Sequence, residues 1–574
     1  MDIRQEICTL LQHHTSLPLE EIQILLATPP DPKMGDYAFP CFKLTSAQNK
    51  NPKDAAIKLQ TQLTKNLPNY IDHLEINGPY LNIFLNYSII AKNTLIQIQT
   101  QTTKYGSGKT KKNIVIEYCG PNTNKPLHLG HMRNMAIGNA ICHLSTFCGN
   151  TIHPVNIIND RGIHICQSML AYQKWGKNKK PEKKGDHFVG DYYVLFAKAV
   201  QEHPELKDEA QQLLQRWEDK DKEVHKLWKE MTNWVLKGFA ETYKRFGITF
   251  EKEYFESQHY EQGRDLALEG LKKGVFVKND DKSIIAKLES YKIPDKIVLR
   301  ADGTSIYITQ DLYLAQQRYT DYKFDQMIYV VASEQQLHFK QLFKILELLE
   351  KPFAKSLHHL SYGLVNLPSG RMKSREGTVV DADDLMDEVS MLARNEVTLR
   401  YPNMDEKEKQ KRAEFIALGA IKFFLLRTDP IRDMVFNPEE SISFDGETGP
   451  YIQYTHARAC SILRKANIPQ KTTTKSTIQN IKYELLTETV EKRIIQHMLQ
   501  FSAVVEESAT HFKPHILCRL LLDLAQSFNE FYHAHPVINE DKDLMHARIA
   551  LVDGVRQVLE NGLNLLGIEA PQEM

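Results

Sequence analysis

Two histidines stand three positions apart, His128 and His131, directly after a loop rich in proline, asparagine and glycine. Residues at this spacing face the same side of a helix once the helix has begun. Gly130 lies between them and lets a ligand approach the backbone closely. The free amides of a helix N-terminus also favour an anion. Two hydrogen-bond donors beside such a site suit a triphosphate that is attacked at phosphorus.

A second segment whose residues could take part in a reaction is the basic run between Gly370 and Gly377, about 240 residues further along. Flanking glycines suit a loop that must move during a reaction cycle. Its cations, Arg371, Lys373 and Arg375, have the charge required to contact a triphosphate. A basic surface loop without a role is the alternative interpretation.

The elements around the histidines predict how they are positioned. Residues 113–117 form a short run rich in β-branched residues, and residues 130–147 have a helical pattern. Strand, loop and helix in this order open a doubly wound α/β domain, which binds ligands at the carboxyl ends of its strands. The α/β character returns at 296–300 and 326–332, and the second of these runs is almost wholly apolar, as buried parallel strands are.

The remaining segments predict α/β plus all-α as the fold class. Residues 1–108 form a small α+β domain that contains a strand at 81–85 and ends in a linker rich in glycine, serine and lysine. A catalytic domain follows at 109–385, with a helical insertion at about 170–290. Residues 386–574 have a helical pattern, which favours a helical bundle.

Composition narrows the class of protein. The chain of 574 residues has 72 basic and 72 acidic residues, so a nucleic-acid partner would have to be held by local basic patches. No apolar run reaches the roughly 18 residues of a membrane helix, and the N-terminus lacks the pattern of a signal peptide. The eight cysteines contain no Cys-x-x-Cys pair, which predicts buried free thiols, no protein zinc site and a cytoplasmic location.

His-Leu-Gly-His resembles the HIGH signature of class I aminoacyl-tRNA synthetases. The longer frame, Pro121-Asn-x-x-Lys-Pro-x-His-x-Gly-His131, is similar to the arginyl-specific form of that motif. The resemblance implies a Rossmann-like catalytic domain in which His128 and His131 bind ATP and stabilise its α-phosphate during attack, with Gly130 beside them. A chance tetrapeptide with two capping histidines is the alternative, and other nucleotidyl transferases share HxGH.

The basic run resembles the KMSKS loop of the same class. Aligned with it, Arg371-Met-Lys-Ser-Arg375 has Ser374 in place of the second lysine. The resemblance implies that Met372, Lys373 and Ser374 bind ATP and that Lys373 and Arg375 act in catalysis. Many arginyl enzymes share this loss, and a lysine just before the first histidine compensates for it in that family. Lys125 has this position.

A guanidinium requires carboxylates in a fork geometry. The run Arg300–Asp311 resembles the amino-acid site of the arginyl family, with tyrosine and aspartate four apart. The arginine-binding residues that the resemblance implies are Glu117, Gly120, Pro121, Asn122, His131, Tyr307, Asp311 and Gln335. Asp311 can alternatively be an acid favoured by the first turn of a helix, and Glu117 can simply end a strand.

Two regions resemble the family's tRNA-binding elements. In Asn77-Gly-Pro-Tyr-Leu-Asn82, the residues Asn77, Tyr80 and Asn82 match the element that contacts the tRNA D-loop, although Asn-Gly-Pro also predicts a β-turn. The run Phe444–Arg458 resembles the start of the anticodon-binding domain. The lysines between 177 and 184 can contact phosphates or belong to a solvated loop.

The resemblance covers nearly the whole chain and implies arginine–tRNA ligase activity in two steps. Arginine reacts with ATP, which arrives with Mg²⁺, and the arginyl group then passes to a terminal ribose hydroxyl of tRNA(Arg). The family also implies a monomer and a first step that requires bound tRNA. The alternatives are another class I synthetase such as the cysteinyl enzyme, a nucleotidyl transferase for small molecules, and an inactive RNA-binding paralogue.

Overall fold

A computed structural model of the chain describes residues 3–45, 51–260, 262–303, 306–366, 368, 380–466 and 480–574. Along the chain, a small α+β unit is followed by a parallel sheet flanked by helices and then by a C-terminal set of helices. The predicted fold class is therefore confirmed. Within the described residues, no helix combines the length and the apolar character needed to cross a membrane.

The N-terminal unit is a helical layer on a small antiparallel sheet. Its elements are α1 (Ile3–His14), α2 (Leu19–Leu25), β1 (Tyr37–Pro40), α3 (Pro52–Thr64), β2 (Ile71–Asn77), β3 (Tyr80–Leu85) and α4 (Tyr87–Gln101). The sheet order is β1–β3–β2. Leu81, Ile83 and Leu85 of β3 are buried against the helices, since alternate residues of a strand share one face. The strand predicted at 81–85 is confirmed.

The central part of the chain contains eighteen α-helices and β-strands within the described residues. They are β4 (Asn113–Glu117), α5 (Leu129–Phe147), β5 (Thr151–Ile158), α6 (Ile163–Trp175), α7 (Gly185–Glu202), α8 (Leu206–Glu218), α9 (Lys222–Phe246), β6 (Lys252–Phe255), α10 (Glu256–His259), α11 (Gly263–Lys272), β7 (Phe276–Lys278), β8 (Ile284–Ala286), β9 (Lys296–Leu299), α12 (Tyr307–Tyr322), β10 (Gln326–Ala332), α13 (Gln336–Leu348), β11 (Leu357–Tyr362) and β12 (Val365–Asn366).

Five of these strands form the parallel sheet, in the order β11–β10–β4–β5–β6. The chain runs outward from β4 through β5 to β6, and then returns to the other side of β4 with β10. This reversal creates a topological switch point between β4 and β10, where α/β sheets bind ligands. The strands predicted at 113–117 and 326–332 and the helix predicted at 130–147 are confirmed, the helix beginning one residue earlier.

Two predictions on the central region require correction. The range 170–290 includes β6, which pairs in parallel with β5 and belongs to the central sheet. β6 is an edge strand and is covered on one side only. Its sequence, Lys-Glu-Tyr-Phe, therefore has no apolar run by which the strand could be predicted. The strand predicted at 296–300 exists as β9, but it belongs to a separate antiparallel sheet, β7–β8–β9, whose short connections do not allow parallel pairing.

The C-terminal part is helical and packs on both preceding parts. Its elements are α14 (Ala382–Arg400), α15 (Glu406–Leu426), β13 (Met434–Val435), α16 (Pro438–Ser441), α17 (Gly449–Lys465), α18 (Thr489–Thr510), α19 (Pro514–Ala534) and α20 (Lys542–Leu565). Helix α5 is buried on nearly all sides, between the sheet and α15, α18 and α20. The Tyr105 hydroxyl donates to the Met498 carbonyl at 2.9 Å and fastens the linker after α4 to α18.

Candidate functional site

A cavity of about 990 Å³ opens at the carboxyl ends of the parallel strands. Residues that follow β4, β5, β6 and β10 line it, together with the first residues of α5 and α12. Among the predicted site residues, the lining contains Glu117, Gly120, Asn122, His128, Gly130, His131, Tyr307, Asp311 and Gln335. Concave polar sites at this end of an open α/β sheet are where ligands bind.

The two histidines form a tight pair at the start of α5. The Nδ1 atom of His131 accepts a hydrogen bond from the His128 amide at 3.1 Å, and His128 Nδ1 accepts from the Gly130 amide at 3.1 Å. The ring centroids are 3.9 Å apart. A Cβ on residue 130 would lie 3.0 Å from the His128 ring, so the glycine also lets this ring fold over the helix end.

Both rings are neutral hydrogen-bond donors. Burial and the nearby Lys125 ammonium lower the pKa of His128 to about 3, and burial, with His128 and Lys125 close by, holds the pKa of His131 well below its usual range. Because each Nδ1 accepts a hydrogen bond, each neutral ring carries its proton on Nε2. Within the described residues no acceptor meets either Nε2. The site can therefore offer two N–H groups to an oxyanion.

Lys125 stands beside this pair but does not line the main cavity. It lines a smaller cavity of about 220 Å³ on the other side of His128. Burial lowers the pKa of its ammonium group. In the part of the chain that the structure describes, no carboxylate pairs with Lys125, so its positive charge is available to an anion at the histidine pair.

The backbone after β4 is held in an uncommon conformation. Cys119 and Gly120 have φ angles of 81° and 64°. The Asn134 side chain accepts from the Cys119 amide at 2.5 Å, and Asn156 accepts from the Gly120 amide at 3.0 Å. These hydrogen bonds hold both residues in the left-handed region. This backbone conformation costs energy for a residue with a Cβ, such as Cys119. The chain therefore turns at Gly120. Pro121 is buried and is not part of the cavity lining, whereas Asn122 is exposed and belongs to it.

Asp311 and Tyr307 lie one turn apart on the first turns of α12, which begins at Tyr307. Their spacing of four residues therefore puts both side chains on one face of the helix. His338 Nε2 lies 2.6 Å from Asp311 Oδ2, which leaves the other carboxylate oxygen for a ligand. Tyr307 is 71% exposed, so its ring is available for contact with a ligand. Gln335 is exposed at the end of a short turn after β10.

Glu117 has an internal partner. Its carboxylate forms an ion pair with Arg318 of α12, and both side chains are almost completely buried. The rings of Tyr254 and Tyr329 lie 5.1 and 5.7 Å from the Arg318 guanidinium. Glu117 reaches the cavity floor, but much of its charge is compensated by this arginine, so Asp311 is the more accessible carboxylate.

Two further charged residues line the cavity. Glu256 follows β6 and is buried, and its burial raises the pKa of the carboxyl to about 7. Arg161 follows β5, pairs with Glu218 at 2.7 Å and lies over the rings of Tyr260 and Trp217. Glu256 was not predicted from the sequence, because the strand that it follows, β6, was not recognised.

Other residues have a structural setting rather than a position in the cavity. Asp160 is buried and accepts from the Ser257 amide and hydroxyl at 2.8 and 2.6 Å, which ties the end of β5 to α10. Three of the five lysines between 177 and 184 form ion pairs with carboxylates. Met372, Lys373, Ser374 and Arg375 lie outside the described residues.

The N-terminal candidates lie around the β2–β3 hairpin. Asn77 pairs with Tyr80 across the turn, and Tyr80 is 41% exposed. The Phe42 ring meets Tyr80 edge-on at a centroid distance of 5.8 Å. Asn82 is only 4% exposed, although it shares the outer face of β3 with Tyr80. Tyr80 and Asn77 are therefore both accessible to a base, whereas Asn82 is not.

Comparisons with known proteins agree with this geometry. The family models for the N-terminal domain of arginyl tRNA synthetase, the catalytic domain of tRNA synthetases class I (R) and the DALR anticodon binding domain match residues 1–85, 94–438 and 452–574. The arginine–tRNA ligase of Treponema denticola is 45% identical over 561 residues, covering 95% of this chain and 94% of that relative. The arginine–tRNA ligase of Bacteroides fragilis is 42% identical over 565 residues, covering 93% of this chain and 92% of that relative.

Solved structures are similar over the same extent. The arginyl-tRNA synthetase of Thermus thermophilus superimposes with a TM-score of 0.81 at 27% identity and covers 96% of both chains. The parallel sheet, its switch-point cavity and the paired histidines, together with the catalytic family model, are those of a class I aminoacyl-tRNA synthetase. Within that class, the chain belongs to the arginyl-tRNA synthetase family.

Proposed function

We propose that the chain is an arginine–tRNA ligase, which activates L-arginine with ATP and transfers it to the 3′-terminal ribose of tRNA(Arg). The observation that carries this proposal is a single cavity with two neutral histidine donors and a separate carboxylate, Asp311. The donors suit an α-phosphate, and the carboxylate suits a guanidinium. The family to which the chain belongs supports the same activity.

In the first step, an oxygen of the arginine carboxylate attacks the α-phosphorus of ATP. The bond from this phosphorus to the bridging oxygen breaks, and pyrophosphate leaves. The Nε2–H groups of His128 and His131 stabilise the charge that develops on the non-bridging oxygens, and Lys125 adds positive charge nearby. Lys373 and Arg375 neutralise the departing pyrophosphate, while Met372, Ser374 and Gly130 contact ATP.

The amino acid is held at the other end of the cavity. Asp311 and Glu117 face the guanidinium, and Tyr307 and Gln335 complete its contacts. The turn at Gly120, Pro121 and Asn122 connects β4 to the segment that carries His131. The reacting carboxylate of arginine must lie beside this turn. In the second step, a terminal ribose hydroxyl of tRNA attacks the arginyl carbonyl, AMP leaves, and the hydroxyl proton is released.

We also propose the finer attributes of this enzyme. Mg²⁺ enters with ATP as part of the substrate, since its ligands are mainly phosphate oxygens. The domains divide at 1–108, 109–385 and 386–574, with tRNA contacted by Asn77, Tyr80 and Asn82 in the first and by the helices of the last. The enzyme acts as a monomer in the cytoplasm, a reducing compartment suited to its eight buried free cysteines.

Arginine-dependent exchange between ATP and pyrophosphate tests the proposal. We expect exchange only when arginine and arginine-accepting tRNA are both present. Exchange with arginine alone would keep the ligase and remove the requirement for tRNA in the first step. Folded protein that gives no exchange under either condition would contradict the proposed function.

A further inference from the structure

A compact polar cluster lies next to the small cavity that Lys125 and His128 line, on the side away from the main cavity. It joins the insertion helices α7 and α9 to the start of α14. Its members are Lys184, Asp186, His187, Thr242, Asp381 and Asp383.

Lys184 is the centre of this cluster. Its Nζ lies 2.5 Å from Asp383 Oδ2 and 3.0 Å from Asp186 Oδ2, and it also donates to the Thr242 hydroxyl. The Asp186 side chain is fully buried. His187 adds a second contact, with Nε2 3.1 Å from Asp383 Oδ2. The Lys184 ammonium supplies positive charge to both of these carboxylates.

The start of α14 is in turn bonded to the histidine motif. The Ala382 amide donates to the Leu127 carbonyl at 2.9 Å, and the Leu129 amide donates to the Val380 carbonyl at 3.1 Å. These bonds form an antiparallel bridge that has His128 on one side. The start of α14 therefore holds the backbone on both sides of His128. Lys184 and His187 in turn hold the start of α14 by their contacts with Asp383.

We propose that Lys184 and His187 are positioning residues for the activation step. They fix the start of α14, and α14 fixes the backbone of His128, so that the Nε2–H of this histidine is correctly placed for the α-phosphate. This inference rests on the proposed function. It gives the insertion a role in the chemical step although none of its cluster residues reaches the main cavity. An ion pair that is largely buried is suited to this role, because removing one partner leaves an uncompensated charge.

The test compares Lys184→Met with Lys184→Arg in the full-length enzyme, by arginine-dependent exchange between ATP and pyrophosphate with saturating tRNA. We expect Lys184→Met to lower kcat about 10- to 100-fold, since displacement of a catalytic group by up to about 1 Å has effects of this order. The arginine KM should remain within about twofold, because the arginine end of the cavity is unaffected. Lys184→Arg should recover part of the lost kcat.

Lys174→Met is the matched control, since Lys174 forms a partly exposed ion pair with Glu209 in the same insertion. It should leave kcat unchanged. An unchanged kcat in Lys184→Met, or a Lys184→Arg variant no better than Lys184→Met, would overturn the inference. Wild-type enzyme without exchange would instead contradict the proposed function. If Lys184→Met fails to fold, His187→Ala and His187→Gln replace the pair, and Gln must outperform Ala because its amide can still donate to Asp383.

Discussion

Replacement of Asp311 by asparagine tests the proposed arginine site most directly. The substitution keeps the shape of the side chain and its ability to accept from His338, but removes the negative charge. Glu117 cannot take over, because Arg318 already compensates its charge. We therefore expect Asp311→Asn to weaken arginine binding while ATP, which contacts the histidine end, binds almost as before.

The expected size of the effect follows from the exposure of the site. Loss of one member of a buried charge pair costs about 2–5 kcal/mol. The Asp311 side chain is 29% exposed, and solvent screening reduces the interaction, so the lower part of this range applies. About 2–3 kcal/mol corresponds to an increase of roughly 30- to 150-fold in the arginine KM, at 1.4 kcal/mol for each factor of ten.

The assay is steady-state exchange between ATP and pyrophosphate, with arginine varied at saturating ATP and tRNA and then ATP varied at saturating arginine. Asp321→Asn is the control, since Asp321 lies on the same helix but pairs with Lys252 at 2.6 Å outside the cavity. The reasoning is refuted if the arginine KM of Asp311→Asn stays within about threefold of wild type, or if Asp321→Asn raises it equally.

Three further predictions concern the carboxylates and the tRNA surface. Burial raises the pKa of Glu256 to about 7, so its carboxyl is uncharged below that pH. The arginine KM should therefore fall as pH rises through 7, and Glu256→Gln should flatten this dependence. Arg318→Met should lower the free energy of unfolding by about 3–5 kcal/mol, as Glu117 is left buried without its counter-ion, and the additional Glu117→Gln change should recover part of it. Tyr80→Ala should raise the tRNA KM in aminoacylation, since stacking on a base is worth about 1–3 kcal/mol.

Each of these predictions has its own control. An equal pH dependence in wild type and Glu256→Gln would remove Glu256 from the arginine site. A double variant no more stable in urea unfolding than Arg318→Met would show that the pair is not the source of the loss. Tyr80→Phe keeps the ring and should behave as wild type, so an equal defect in Tyr80→Phe and Tyr80→Ala would contradict stacking.

Local chemistry explains why part of the site was predictable. The turn of the chain into α5 brings His128, Gly130 and His131 together through bonds between residues two and three apart. The start of α12 at Tyr307 likewise places Asp311 one turn away. Contacts at such short separations follow from the helix repeat alone, and so spacing in the sequence is sufficient to predict them.

The sequence by itself therefore determined the order of the segments, the histidine pair, and the Tyr307–Asp311 face, all of which depend on neighbouring residues. The tertiary structure alone decided that β6 completes the sheet and carries Glu256 into the cavity. It also decided that Arg318 compensates Glu117 and that the insertion reaches His128 through α14. These pairings join residues about 100 to 250 positions apart. Such contacts form only when whole elements pack together, so no local periodicity or spacing signals them.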